Sequence, residues 1–191
     1  MRVLFVENDD SFSWNLIDLL PFARGEIQIR RGLDVAGEIT ALDGYDAVVI
    51  GPGPKDPQRA GIVGIVRAAA RRGLPLLGVC LGHQAIGLAF GAELVRVHPC
   101  HGQACPITFG PSRRFPGCAG VHEAMRYHSL ALTALVPPLR AVATSADGVI
   151  MALEHDRLPI AGLQFHPDSY ASPTGRAIVA DFFRGALEAQ R

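Results

Sequence analysis

Residues 74–82 read Leu-Pro-Leu-Leu-Gly-Val-Cys-Leu-Gly and lead into residues 83–90, a segment of helical composition that ends before Gly91. The apolar run over residues 74–79 is typical of a strand buried on both faces, as the inner strands of parallel sheets are. A buried strand followed at once by a helix is the repeating unit of α/β folds. This stretch therefore predicts a parallel sheet with helices packed against it.

The same alternation of strand and helix continues on the N-terminal side. It predicts strands over residues 2–6, 26–30 and 47–50, helices over residues 11–22 and 60–72, and a closing helix over residues 173–188. Each predicted helix can cross over to the next parallel strand in the right-handed sense that such connections take. The pattern predicts an α/β fold with a doubly wound, mostly parallel sheet and flanking helices.

The pattern changes after Gly91. A strand is predicted over residues 92–97, but residues 98–123 are dense in Pro, Gly, His and Cys and predict a loop or a short hairpin. Strands predicted over residues 139–144, 149–154 and 159–165 are spaced like an antiparallel meander and indicate a small antiparallel accessory sheet. At this length we expect one domain spanning residues 1–191.

Composition excludes several classes of partner. The 18 Lys and Arg residues balance 18 Asp and Glu residues, so the chain has no basic field to attract nucleic acid. No apolar run approaches the roughly 20 residues of a membrane-spanning helix, and the short start of the chain is too acidic for a signal peptide. We therefore expect a cytoplasmic protein whose four cysteines are free thiols, with no membrane partner.

Cys80 lies in Gly-Val-Cys-Leu-Gly, residues 78–82, a thiol version of the Gly-x-Ser-x-Gly nucleophile elbow. The strand before it and the helix after it are the context that an elbow needs. The helix N-terminus would favour the Cys80 thiolate, and the backbone amide of Leu81 would be free to face an oxyanion. Many free cysteines are instead small buried hydrophobes, so the elbow alone leaves both interpretations open.

His166 has the best setting for a catalytic base, because it follows the strand predicted over residues 159–165 at the edge where α/β sheets bind ligands. Asp168 lies two residues further on and would hold the imidazole in the tautomer that accepts the thiol proton. A lone histidine is more often structural, and an aspartate after proline is more often a turn residue. The combination with Cys80 favours the catalytic interpretation.

Four segments, in this order along the chain, resemble motifs of the class I, or triad, glutamine amidotransferases: Gly-Pro-Gly-Pro at 51–54, Gly-Val-Cys-Leu-Gly-His-Gln at 78–84, Arg-Tyr-His-Ser-Leu at 126–130 and Gln-Phe-His-Pro-Asp-Ser at 164–169. The resemblance implies that Cys80 attacks the side-chain amide of L-glutamine and that His166 passes a proton to the departing ammonia. It implies no cofactor and no metal. It also implies that glutamine and the oxyanion are bound by Gly51, Pro52, Gly53, Leu81, Gln84, Ser129 and Leu130, with the backbone amides of Gly53 and Leu81 forming the oxyanion hole.

Residues 7–16 resemble the Asp-Ser-Phe-x-x-Asn-Leu signature of the chorismate-directed members. A chain of 191 residues leaves no room for a synthase domain, so the resemblance implies a separate chorismate-using synthase subunit that consumes the ammonia. We expect an anthranilate synthase component II, with the amidotransferase subunit of aminodeoxychorismate (para-aminobenzoate) synthase as the second choice.

Three positions depart from the family pattern. Asp168 stands where relatives usually have Glu, residues 103–105 read Gln-Ala-Cys where chorismate-directed relatives read Lys-Thr-Ser, and Glu7 replaces an Asp. These departures leave two alternatives open. One is a catalytically weak regulatory or scaffold subunit of the same fold, and the other is a cysteine hydrolase that acts on another γ-glutamyl substrate without a partner.

Residues 98–122 hold a second group of side chains with metal-binding chemistry. Soft ligands for a tetrahedral zinc ion are supplied by His98, Cys100, His101, Cys105, Cys118 and His122. Their spacing is looser than that of paired Cys-x-x-Cys sites, and prolines restrict the segment. We expect these residues to lie in a loop without a metal, and keep a structural zinc site as the alternative.

Overall fold

The computed structural model describes residues 1–36 and 41–188, and within them nine strands form one mixed sheet in the order β2-β1-β3-β4-β9-β8-β7-β5-β6. The strands are β1 (Val3–Glu7), β2 (Ile27–Arg31), β3 (Ala47–Ile50), β4 (Leu76–Val79), β5 (Glu93–Phe109), β6 (Gly120–Thr133), β7 (Leu139–Ser145), β8 (Ile150–His155) and β9 (Ile160–Leu163). The helices are α1 (Ser13–Leu19), α2 (Gly32–Ala36), α3 (Ile62–Arg72), α4 (Leu81–Ala89) and α5 (Gly175–Glu188).

The parallel half of the sheet contains β2, β1, β3, β4 and β9. Successive residues of each strand face opposite sides, so an unbroken apolar strand supplies two cores. In β1, Val3 and Phe5 join a cluster with α1 and α5, whereas Leu4 and Val6 join a second cluster with α2, α3 and α4. The predicted α/β fold with a doubly wound sheet and flanking helices is confirmed.

The antiparallel strands continue the main sheet beyond β9, through β8, β7, β5 and β6. The prediction of a loop or short hairpin over residues 98–123 was wrong in extent, because β5 runs on to Phe109 and β6 begins at Gly120. Most β5 side chains between residues 93 and 108 are exposed or only partly buried, so no alternation of apolar and polar residues marks the strand. Register shifts near His101 further break its periodicity.

The parallel strands position the site. The carboxyl ends of β1, β3, β4 and β9 meet at one edge of the sheet, which is where open α/β sheets bind ligands. The segments that follow these ends contain Asn8, Gly51, Cys80 and Gln164. In the part of the chain that the structure describes, no helix is both long enough and apolar enough to cross a membrane.

Candidate active site

Cys80 occupies a strained turn between β4 and α4, with φ 51° and ψ −98°. Positive φ is uncommon for a residue with a Cβ and is held only when the surroundings enforce it. A Cβ added at Gly78 would lie 2.4 Å from the Gly82 carbonyl carbon, and one at Gly82 would lie 2.4 Å from the Ile50 oxygen. The structure thus has the strand, tight turn and helix that the elbow pattern predicts, and both glycines are needed for its close packing.

His166 is fixed by its backbone and by its ring. Its backbone N–H donates to the Met125 carbonyl at 2.9 Å, and its carbonyl accepts from the Ser172 hydroxyl at 2.7 Å. The Tyr127 ring packs edge-on against the imidazole, with 5.2 Å between ring centroids. Strand β6 therefore anchors a histidine that follows β9, a long-range contact that the sequence pattern did not reveal.

Cys80, His166 and Asp168 are brought together at this edge. His166 Nδ1 lies 3.6 Å from Asp168 Oδ1, a separation that makes the contact an ion pair rather than a hydrogen bond. Burial alone lowers the pKa of His166, but the Asp168 carboxylate and the Cys80 sulfur outweigh it and raise that pKa to about 10. A protonated imidazole therefore faces the sulfur at neutral pH.

A cavity of about 300 Å³ opens beside the Cys80 sulfur. Of the residues predicted to bind glutamine, it is lined by Gly53, Gln84, Ser129 and Leu130. Gly51 and Pro52 are instead buried within the loop that follows β3, and Leu81 is buried in the first turn of α4. The polar side chains around this cavity suit a small polar substrate.

Asn8 holds the Gly51–Gly53 loop in place. Its buried side-chain amide donates to the Gly51 carbonyl at 3.0 Å and to the Val6 carbonyl at 3.3 Å. A Cβ at Gly53 would lie 2.7 Å from both the Cβ and the backbone oxygen of Asn8, so only glycine permits this approach. No motif in the sequence marks Asn8 as a site residue; its position just after the first parallel strand was the available signal.

Five more lining residues escaped prediction as site residues: Pro54, Lys55, His101, Tyr127 and His128. His101 and Tyr127 are paired in register across β5 and β6, so the long hairpin brings both to the cavity. Residues 98–123 were predicted as a loop or short hairpin, so the pairing of His101 with Tyr127 was not expected. The structure therefore connects this histidine with the cavity beside Cys80.

Side chains that were considered as zinc ligands contact other groups of the protein. His122 contacts the Cys118 carbonyl oxygen at 2.8 Å and the Thr174 hydroxyl at 3.0 Å. The Cys118 thiol lies 3.5 Å from Asp181, and burial together with this carboxylate raises the pKa of Cys118 to about 12. Across residues 1–36 and 41–188, no group of three or more His, Cys, Asp or Glu side chains has an arrangement that could hold a metal ion. The structure gives the zinc alternative no support.

The sequence is similar to proteins of one family. The family model described as glutamine amidotransferase class-I matches residues 4–186. The chain is 44% identical over 185 residues to an aminodeoxychorismate synthase of Streptomyces griseus, a match that covers 95% of this chain but only about a quarter (26%) of that protein. It is 42% identical over 188 residues to anthranilate synthase component 2 of Mycobacterium tuberculosis, covering 95% of this chain and 81% of that protein.

The fold also matches a solved structure. The crystal structure of a protein from Thermoplasma acidophilum, described as belonging to a GMP synthase, superposes with a TM-score of 0.85. The match covers 100% of this chain and 96% of that one at 23% sequence identity. At this identity the likeness establishes a shared fold and carries no argument about substrate.

Proposed function

This chain belongs to the class-I glutamine amidotransferase family, and we propose that it hydrolyses L-glutamine through a Cys80 thioester and delivers the ammonia to a chorismate-using synthase. One observation carries the assignment of the site. Cys80 lies on a strained turn, beside the buried His166–Asp168 pair and at the wall of a cavity that several polar side chains line. This is the arrangement that nucleophilic thiol catalysis requires.

The reaction begins with the Cys80 thiolate attacking the side-chain amide carbon of glutamine. The backbone amides of Gly53 and Leu81 stabilise the oxyanion that forms, and each such donor is typically worth about 100- to 1,000-fold in rate. The His166 imidazolium then gives its proton to the amide nitrogen, which leaves as ammonia. A γ-glutamyl thioester and a neutral imidazole remain.

Water completes the cycle. His166 accepts a proton from the water as its oxygen attacks the thioester carbonyl, and the sulfur leaves as the thiolate. Glutamate is released, and the protonated His166 again faces the Cys80 thiolate. Asp168 stabilises the imidazolium and fixes the ring orientation across the 3.6 Å contact.

Anthranilate synthase component II is the first choice for the biological role. The similarity to the Mycobacterium tuberculosis anthranilate synthase component 2 covers 81% of that relative, so most of it corresponds to this chain. The aminodeoxychorismate synthase role is the second choice, favoured by 44% identity to the matching quarter of the Streptomyces griseus protein. In either role the partner is a synthase large subunit that accepts ammonia.

The test is ammonia release from glutamine by the chain in isolation, then with the large subunit of an anthranilate synthase, then with that of an aminodeoxychorismate synthase. We expect stimulation by the anthranilate synthase partner and loss of all activity in Cys80→Ala. Stimulation by only the aminodeoxychorismate synthase partner would assign the second role. No ammonia release with either partner would support the scaffold alternative. A full rate of ammonia release without a partner would support the stand-alone hydrolase.

A further inference from the structure

Gln164 contacts the sulfur of Cys80 from inside the fold. It follows β9 and is completely buried, and its side-chain Nε2 lies 3.8 Å from the Cys80 sulfur. Its backbone N–H donates to the Met151 carbonyl at 2.9 Å, which fixes the start of the side chain. The Gln164 amide has no role in the reaction steps proposed for Cys80 and His166, although it contacts the reacting sulfur.

The orientation of the Gln164 amide is set by Gln84. Gln84 Nε2 lies 3.2 Å from the Leu130 carbonyl oxygen and 3.3 Å from Gln164 Oε1. A carbonyl oxygen can only accept, so Gln84 must present its NH₂ group to this pair. Gln164 Oε1 is then occupied as an acceptor, and the NH₂ group of Gln164 is the end that faces Cys80.

The Leu130 carbonyl is held in turn by His128 and Arg126. Arg126 Nε donates to His128 Nε2 at 3.1 Å, and His128 Nδ1 lies 3.0 Å from the Leu130 oxygen. Arginine only donates, so Nε2 is the acceptor and Nδ1 carries the proton that bonds to Leu130. Burial and the Arg126 charge lower the pKa of His128 to about 4, which keeps the ring neutral and this tautomer in place.

Arg126 is itself fixed by an ion pair. Its Nη1 lies 3.1 Å and 3.0 Å from the two carboxylate oxygens of Asp147, in the turn between β7 and β8. The Arg126 side chain is 5% exposed, whereas that of Asp147 is 56% exposed. An ion pair and a series of hydrogen bonds thus connect the surface turn at Asp147 with the Cys80 sulfur.

We propose that Gln164 is a catalytic hydrogen-bond donor to the Cys80 thiolate, and that Gln84, His128 and Arg126 are positioning residues that hold its amide in the donating orientation. The inference rests on the proposed function of Cys80. A hydrogen bond to an anion favours the ionised form, so Gln164 adds to the effect of the His166 imidazolium. The bond acts twice in the cycle, on the attacking thiolate and on the thiolate that leaves when water cleaves the thioester.

The test is the pH dependence of Cys80 alkylation by iodoacetamide in the full chain. Mass spectrometry of the Cys80 peptide separates this signal from Cys100, Cys105 and Cys118, which are also free thiols. Gln164→Met keeps the length of the side chain and removes the donor. We expect the apparent pKa of Cys80 to rise by about one unit, since hydrogen bonds to charged groups are worth roughly that much.

Three further variants separate the loss of the hydrogen-bond donor from general damage to the fold. Gln164→Leu removes the same donor with a different shape and should raise the Cys80 pKa equally, so the result does not depend on one variant folding well. Arg126→Met removes the hydrogen bond to His128 Nε2 and the ion pair with Asp147, and it should raise the Cys80 pKa by a smaller amount, because the amide is then held less firmly. Met151→Leu, a volume-conserving change beside Gln164, should leave the alkylation profile unchanged.

An unchanged Cys80 profile in a folded Gln164 variant would overturn the donor role. A profile in Arg126→Met that matches the native one would overturn the positioning role. Both results are independent of glutaminase activity. Failure of the proposed function would show instead as ammonia release that persists in Cys80→Ala.

Discussion

At the scale of single residues, the site combines side chains that motifs reveal with side chains that only distant contacts reveal. Cys80, His166 and Asp168 could be predicted because an elbow and a strand end mark them locally. Asn8 and Gln164 could not be assigned from local pattern, since each acts on a residue more than forty positions away. Its position at the end of a strand is the only local signal for Asn8, and a single sequence does not show which distant residue such a side chain contacts.

Asp168 is the first residue to test. Its carboxylate lies 3.6 Å from His166 Nδ1. The Asp168 side chain is one methylene shorter than the Glu that the family resemblance leads us to expect at this position. We expect Asp168→Ala to lower kcat by up to about 10⁴-fold, because the imidazolium loses its counter-ion and its fixed orientation. Asp168→Glu should retain activity near the native level. The measurement is kcat for ammonia release with the partner present, and equal losses in both variants would refute the orienting role.

His166 also makes stability depend on pH. Its pKa is raised from 6.5 to about 10 in the folded chain, so folding favours the protonated ring. The resulting stabilisation is fully present below about pH 6.5 and is lost as the pH rises through about 10. Urea unfolding at pH 6, 8 and 10 should show a steeper fall in the free energy of unfolding for the native chain than for His166→Gln. Identical slopes would contradict a raised pKa.

At the scale of elements, buried strands and their following helices were predictable and exposed strands were not. The runs that became β3 and β4 are apolar throughout because both of their faces are covered. Strand β5 has few buried side chains, so backbone pairing with β6 holds it while its sequence resembles a loop. The short helix α2 was also missed, since five residues provide too little periodicity to detect.

The surroundings of two glycines, Gly82 in the elbow and Gly64 in α3, predict opposite effects of replacing each with alanine. Gly82→Ala would place a Cβ 2.4 Å from the Ile50 oxygen, and we expect a loss of about 1–3 kcal/mol in the free energy of unfolding, together with loss of activity. Gly64→Ala in α3 is the matched control, because nothing lies within 4 Å of the added Cβ. It should stabilise the chain by about 0.5–1 kcal/mol. Chemical denaturation measures both, and destabilisation by Gly64→Ala would contradict the packing described.

In the molecule as a whole, the sheet brings together site residues from segments that are far apart in the chain. Parallel strands bring the residues after β1, β3, β4 and β9 to one edge, and the antiparallel extension adds the wall formed by β6. The α/β class and the edge that binds ligand follow from strand and helix alternation alone. The extent of β5 and β6, and therefore the shape of the cavity, depends on pairing that the sequence does not encode locally.

Trapping the covalent intermediate would show directly whether Cys80 is the nucleophile. The chain, with its synthase partner, is mixed with glutamine, quenched in acid and digested, and the cysteine peptides are identified by mass spectrometry. We predict a γ-glutamyl group on the Cys80 peptide alone, absent from Cys80→Ala. Ammonia release that persists in Cys80→Ala, or an adduct on another cysteine, would contradict the account.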